Sequence, residues 1–187
     1  ASRMIENYVK GVQGTGTAAT LKHFIGNETE FNRRTTNSII DERTLHEVHM
    51  APFKAGVDAG VFCVMTSYNQ VNGEWAGQSN YVINQLLRKE LGFKGLVMTD
   101  WWSIWDTKKA IKSGLSLDMP GHAIDRIPIL KEYGQDIFVR SSAKKWLEKG
   151  KITEDDIDRM ARDVIALSLV IRLVERHVKD TSFLKHF

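Results

Sequence analysis

The feature that most constrains this chain is a rhythm of short apolar runs and longer helical stretches. Four runs are near-continuously apolar or β-branched: Ala18 to Phe24, Val61 to Thr66, Leu96 to Thr99 and Leu115 to Met119. Runs without polar alternation suit strands covered on both faces, and strands that take turns with helices build parallel sheets. Between the first two runs, Asp41 is placed as an N-cap, with Ile40 and Leu45 set for a hydrophobic staple; Leu45, Val48, Phe53 and Val57 continue an apolar face. Pro52 should interrupt that helix, since its ring removes one backbone hydrogen bond. Between the second and third runs, Ser79 precedes a stretch whose Val82, Ile83, Leu86, Leu87 and Leu91 share one face, and Gly92 suits the left-handed position after it. A shorter helix around Asp106 to Ser113 stops at Gly114. Thr153, followed by Glu154, Asp155 and Asp156, starts another whose Ile157, Met160, Val164, Leu167 and Ile171 are apolar.

This βαβαβαβ order fits both doubly wound sheets and (β/α)8 barrels. The dinucleotide-binding version of the former needs G-x-G-x-x-G directly after a strand. Here the glycines of Gly11 to Gly16 read G-x-x-G-x-G and precede one.

Composition closes off other classes. With 42% hydrophobic residues in 187 the chain can build a core, and the lone Cys63 precludes an intrachain disulfide or a clustered-thiol zinc site. No apolar run reaches the roughly 18 to 20 residues that span a bilayer. The 26 basic and 23 acidic residues are intermixed rather than gathered into a stripe, so neither a nucleic-acid nor a membrane partner is expected. His46 and His49 lie three apart in a helical stretch, which packing explains more simply than metal binding, and G-x-S-x-G is absent. No cofactor or metal is expected.

The chemistry gathers where the apolar runs stop. The first ends in Lys22-His23, the second in Ser67-Tyr68-Asn69, the third in Asp100-Trp101-Trp102 and the fourth in Asp118-Met119-Pro120. In parallel α/β folds the C-terminal strand ends form the active face, and polar groups buried elsewhere carry a desolvation cost without function. Singly, Lys22 is equally read as an ion pair, His23 as a satisfied core residue and Tyr68 as a packed aromatic; four consecutive strand ends favour a site. A carboxylate beside Trp, with Lys, His, Arg and Tyr nearby, suits a sugar, whose C–H faces pack on rings and whose hydroxyls take directional hydrogen bonds.

Five tracts, Lys22-His23-Phe24, NSIIDERTLHE (37–47), MTSYN (65–69), GFKGLVMTDW (92–101) and LDMPG (117–121), closely resemble glycoside hydrolase family 3, particularly its β-glucosidase branch. The resemblance runs from about residue 14 to about 165. It implies a retaining exo-acting β-glucosidase in which Asp100 is the catalytic nucleophile and forms a covalent glycosyl-enzyme. Lys22, His23 and Arg33 match the residues that bind sugar hydroxyls, Tyr68 the tyrosine near the nucleophile, and Met65 and Trp101 the lining of the sugar subsite. Trp101 in place of the Cys of xylosidase-like members favours a glucoside over a xyloside. Arg43 and Glu47 also match and are read as a scaffold ion pair, and Asp118 as a support. Trp102 and Trp105 either line an aglycone subsite or pack the loop.

Spacing alone would allow Asp100 and Asp118 as the two carboxylates of a retaining pair, since adjacent strand ends lie roughly 5 Å apart. The resemblance points elsewhere, to an acid/base Glu on a separate α/β sandwich domain, because the loop from Ile25 to Asn37 lacks the His of the family's single-domain members.

A complete (β/α)8 barrel takes about 250 residues and eight strands. The expectation is therefore an α/β half-barrel of four parallel strands. Residues 1–172 would be the C-terminal half of a catalytic barrel and 173–187 a C-terminal extension. Its partners would be a β-glucoside or oligosaccharide, the missing half-barrel and the sandwich domain, on the same or a separate chain. As a fragment, a processed chain or one part of a split enzyme, it is alternatively a non-catalytic sugar-binding half until paired, with the sandwich domain ahead of the barrel if the order is permuted.

Overall fold

A computed structural model describes residues 1–121 and 140–171; the expected extension at 173–187 lies outside them. Three of the four apolar runs form one parallel sheet: β1 (Thr20–Phe24), β3 (Cys63–Thr66) and β6 (Leu96–Met98), in the order β1-β3-β6. Thr20 faces Cys63, Val64 faces Val97, and Met65 faces Met98. The protein is thus α/β with a parallel sheet, as expected.

The fourth run lies parallel to β6 without forming a full strand. It meets β6 only through a bridge between Met98 and Leu117. Side chains take over part of the ladder: Ser116 Oγ, rather than a carbonyl, accepts the Val97 N–H at 3.1 Å, and Ser116 N and Leu117 N both turn onto the Val97 carbonyl. Pro120, with no N–H to give, ends the approach.

Helix α1 (Ser2–Gly14), which the sequence reading did not anticipate, contains Gly11 and ends at Gly14. Val9 is its buried residue, and Gln13 ties it to the segment before β3 by donating to Gly60 O (2.9 Å) and accepting from Phe62 N (2.9 Å).

After β2 (Asn37–Ser38), Asp41 caps the helical stretch as expected, its carboxylate accepting from Thr44 N at 3.0 Å. That stretch is composite: α2 (Glu42–Thr44), a π-helical segment (Leu45–Met50) and α3 (Ala51–Asp58). Pro52 falls in the first turn of α3, where a missing N–H is tolerated. The wider π turn also shifts the phase. Met50, five residues after Leu45, follows it inward, whereas Val48, expected on the apolar face, is 61% exposed.

The next helix, Tyr81–Glu90, is π-type as well; Ser79 Oγ accepts from Val82 N at its start and Gly92 adopts φ +72° beyond its end. Its Val82, Ile83, Leu86 and Leu87 are buried and meet Phe24, Leu45, Val64, Val97 and Leu115 in the main core. α4 (Thr107–Lys112) starts at an Asp106 cap, and α5 (Arg140–Glu148) and α6 (Glu154–Val170) follow. Thr153 and Asp156 close a reciprocal capping box at the start of α6, and Met160 packs with Ile111 and Ile152.

A second small sheet lies beyond the C-terminal ends of the main one. β4 (Gln70–Val71) pairs with β2 in parallel and with β5 (Glu74–Trp75) in antiparallel register through a turn of Asn72 (φ +50°) and Gly73 (φ +99°). Asn-Gly between short extended runs is the sequence signal for that hairpin.

Candidate active site

The sheet order brings the ends of β1, β3 and β6 side by side, and three of the expected site residues converge there. His23 Nε2 stands 3.1 Å from Asp100 Oδ2, with the two side chains 26% and 15% exposed. Asp100 Oδ1 accepts the Trp101 backbone N–H at 2.7 Å. The buried Tyr68 presents its hydroxyl to the same carboxylate.

The electrostatics follow from this crowding. Burial pushes the Tyr68 phenol up to about 12, and the neighbouring negative charge of Asp100 and its hydrogen bond act in the same sense. The phenol stays a proton donor at any physiological pH. Burial lowers the His23 pKa, with help from the positive charges of Lys22 and Arg33 and against the pull of Asp100. Asp100 is thus flanked by a phenol O–H and an imidazole biased toward neutrality, an arrangement that orients a carboxylate without neutralising it.

The remaining expected residues take graded positions around this centre. The Arg33 guanidinium lies over the Tyr68 ring, 4.4 Å from its centroid, and pairs with Glu30 at 2.9 Å. Lys22 is exposed on β1. Met65 is half-buried on β3 opposite Met98. Trp101 is 53% exposed and meets Trp102 edge-on at 5.6 Å. Asp118 is buried and accepts from Thr99 Oγ1 at 2.9 Å, while Thr99 Oγ1 accepts from Met119 N, so this carboxylate fastens the end of β6. Trp105 stacks on Trp75 (4.8 Å, 28°). Arg43 and Glu47 pair at 3.0 Å, with side chains 83% and 62% exposed, a surface pair that adds little to the scaffold.

Three residues organise the site: Asn69, which the sequence placed at the second strand end without a role, and Gln78 and Arg34, which the sequence did not single out. Asn69, buried, reaches Ile25 O, Gly26 O, Ser38 Oγ and Gln70 O with its amide nitrogen and locks the turns after β1 and β3 together. Gln78, also buried, accepts the N–H groups of Trp105 and Asp106 with Oε1 and donates to Glu74. Arg34 donates to the carbonyls of Trp101 (3.3 Å) and Trp102 (2.6 Å). An amide three residues past an apolar run was the available signal for Asn69.

Among the described residues no group of three or more His, Cys, Asp or Glu side chains could hold a metal ion, and no helix is long and apolar enough to cross a membrane.

Known proteins share this arrangement of elements. A β-D-glucoside glucohydrolase from Trichoderma reesei superposes with a TM-score of 0.82 at 34% identity, covering 91% of this chain and 23% of that one. β-Glucosidase 3B from Thermotoga neapolitana, solved with glucose, gives 0.82 at 30% identity over 90% and 23%. In sequence, a probable β-glucosidase K of Emericella nidulans is 43% identical over 84% of this chain and 17% of its own length, and a β-glucosidase of Rhizobium radiobacter 38% identical over 86% and 18%. The chain therefore spans about a fifth of the curated relatives it matches. The description of the glycosyl hydrolase family 3 N-terminal domain fits residues 1–167, and with relatives of this identity the chain belongs to glycosyl hydrolase family 3.

Proposed function

We propose that this chain carries the nucleophile of a retaining, exo-acting β-glucosidase. The carrying observation is the Asp100 carboxylate, held at the end of β6 by His23, Tyr68 and the Trp101 N–H beside an exposed indole, in a domain of family 3. An Asp100 oxygen attacks the anomeric carbon of a terminal glucosyl residue. The bond to the aglycone oxygen breaks as that oxygen takes a proton, and water then cleaves the glycosyl-enzyme. Lys22, His23 and Arg33 orient the sugar hydroxyls, and Met65 and Trp101 line the subsite. The donor of the proton is a Glu outside this chain, which acts as base in the second step. Asp118 is unsuited to that role because its carboxylate is buried and bound to Thr99.

We also read residues 1–172 as the C-terminal half of a (β/α)8 barrel, completed by the other half-barrel and accompanied by an α/β sandwich domain. β1, with a sheet neighbour only in β3 among the described residues, supports that reading.

The test is Asp100→Ala in the full-length protein, which should abolish hydrolysis of an aryl β-glucoside; near-normal turnover sinks the proposal. Assay of the isolated 187-residue chain separates this function from that of a half that only binds sugar until paired, because turnover by it alone contradicts the need for a partner.

A further inference from the structure

The residue after Trp101 has an unusual backbone. Trp102 adopts φ +54°, a left-handed conformation that bulky residues seldom take and that persists only where the surroundings over-determine it. Two contacts fix its peptide groups. Its N–H donates to Met119 O at 3.0 Å, and its carbonyl accepts from Arg34 Nη2 at 2.6 Å. Arg34 Nη1 reaches the Trp101 carbonyl as well, so one planar guanidinium grips two consecutive carbonyls. The Trp101 peptide in turn carries the N–H that holds Asp100 Oδ1. Trp101 alone therefore links Arg34 to the carboxylate, its carbonyl held by the guanidinium and its N–H holding Asp100 Oδ1.

The same guanidinium also meets two aromatic rings. Its carbon lies 5.3 Å from the Tyr68 ring centroid and 6.0 Å from that of Trp105. Trp105 stacks on Trp75, and the Trp75 indole N–H donates back to the Arg34 carbonyl at 3.2 Å. Three stretches distant from it in sequence thus meet at Arg34: the loop after β3 (Tyr68) and the loop after β6 on its guanidinium, and the β4–β5 hairpin on its backbone carbonyl. The neighbouring Arg33 plays no such part, being committed to Glu30 and the Tyr68 face.

We infer that Arg34 is a positioning residue for Asp100: it locks the left-handed Trp101-Trp102 turn against Tyr68 and so fixes the attack direction of the carboxylate without touching the sugar. The inference rests on the reading of Asp100 as nucleophile. A lysine cannot replace it, since an ammonium lacks the planar fork that spans two carbonyls.

The experiment uses the full-length protein and a fluorinated mechanism-based glucoside that traps the glycosyl-enzyme. In the wild type, mass spectrometry should find the label on Asp100; an unlabelled protein or a label elsewhere removes the nucleophile reading itself. With Asp100 labelled in the wild type, Arg34→Ala should be labelled about 100-fold more slowly, the scale of a misplaced reacting group. Millimolar guanidinium should restore part of that rate, and the slow labelling should appear in kcat more than in KM. Wild-type labelling by a folded Arg34→Ala overturns the inference. So does a slowed variant that guanidinium leaves slow and whose melting temperature has fallen in step, because Arg34 is then scaffold. If Arg34→Ala does not fold, Arg34→Lys takes its place, with slow labelling at a retained melting temperature expected and wild-type labelling overturning the inference.

Discussion

His23 Nε2 and Asp100 Oδ2 face each other at 3.1 Å, yet the imidazole is harder to protonate than a free histidine. Burial outweighs the attraction of the carboxylate, and Lys22 and Arg33 add to the depression. A group whose folded pKa lies below its unfolded value of 6.5 contributes stability that is present above that value and is lost as pH falls through it toward the folded pKa. His23→Gln removes this proton linkage. Melting curves from about pH 7.5 to pH 5.5 should therefore show the wild type losing stability faster than the variant on acidification. Parallel curves would mean that His23 titrates as it does in the unfolded chain.

Tyr68 offers a second handle on the same carboxylate. Its phenol, pushed up to about 12, remains a donor to Asp100, while its ring supports Arg33. Tyr68→Phe keeps the ring and deletes the donor. A hydrogen bond to a charged group is worth about 1.5–3 kcal/mol, so kcat on an aryl β-glucoside should fall by roughly 10- to 100-fold. The melting temperature should change little. Tyr68→Ala should lose more, because Arg33 then loses its platform, and equal kcat for the two variants would remove the platform from the account.

Much of this site was legible in the sequence because parallel strands confine chemistry to their C-terminal ends. Lys22-His23 lie at the end of the first apolar run, Tyr68 two residues past the second and Asp100 directly after the third, so locating the runs located the residues. What was hidden depends on contacts between segments far apart in the chain. Arg34 resembles any loop arginine until it meets the carbonyls of Trp101 and Trp102, 67 and 68 residues away. The single bridge of the fourth run has a similar origin: Leu115 to Met119 reads as a strand by composition, but the Ser116 hydroxyl competes for the Val97 N–H. α1 was missed because its N-terminus has neither a side-chain cap nor an acidic first turn, the marks by which helix starts are read. The π turns leave almost no trace in the sequence, since a run of apolar residues at three- and four-residue spacing tolerates one turn of five.

Gly95 provides a test of sheet assembly. It sits just before β6, and a Cβ there would collide with the Phe62 carbonyl and come within 2.8 Å of the Phe93 ring. That carbonyl is the one that accepts Leu96 N at 3.0 Å and opens the β3–β6 ladder. Gly95→Ala should cost about 1–3 kcal/mol through overpacking against backbone that cannot move without breaking the ladder. At Gly92 an added Cβ meets open space, and its φ of +72° leaves only conformational strain of about 1 kcal/mol. Urea melts of the two alanine variants should rank Gly95→Ala as the less stable, and the reverse order would place the close approach at Gly95 among contacts that relax freely.

Asp163 governs how the last described helix is attached. It projects from α6 to Arg88 at 3.0 Å, where the same guanidinium nitrogen donates to Gly114 O and Ser116 Oγ, and Ser116 Oγ also binds Asp163. Arg159, whose pKa is lowered first by burial and then by the charge of Arg88, turns its own guanidinium to the carbonyls of Ile111 and Leu115. Asp163 is thus the negative charge between two half-buried cations, each of which also satisfies backbone carbonyls near the end of α4 and the Met98–Leu117 bridge. Removing one partner of a buried pair costs more than the pair is worth, because a charge is left without compensation. The Arg88 and Asp163 side chains are 21% and 18% exposed, so solvent screening reduces the penalty for Asp163→Ala to about 2 kcal/mol. Asp163→Asn keeps an acceptor for Arg88 and Ser116 and should lose about half as much. The exposed pair of Arg43 and Glu47 supplies the contrast, since Arg43→Ala should leave the denaturation midpoint unchanged. Denaturation of all three variants at low and high salt decides the matter: a salt-insensitive deficit confined to the Asp163 variants is expected, and a deficit that salt erases would mean the Arg88 pair is solvated like the surface ones.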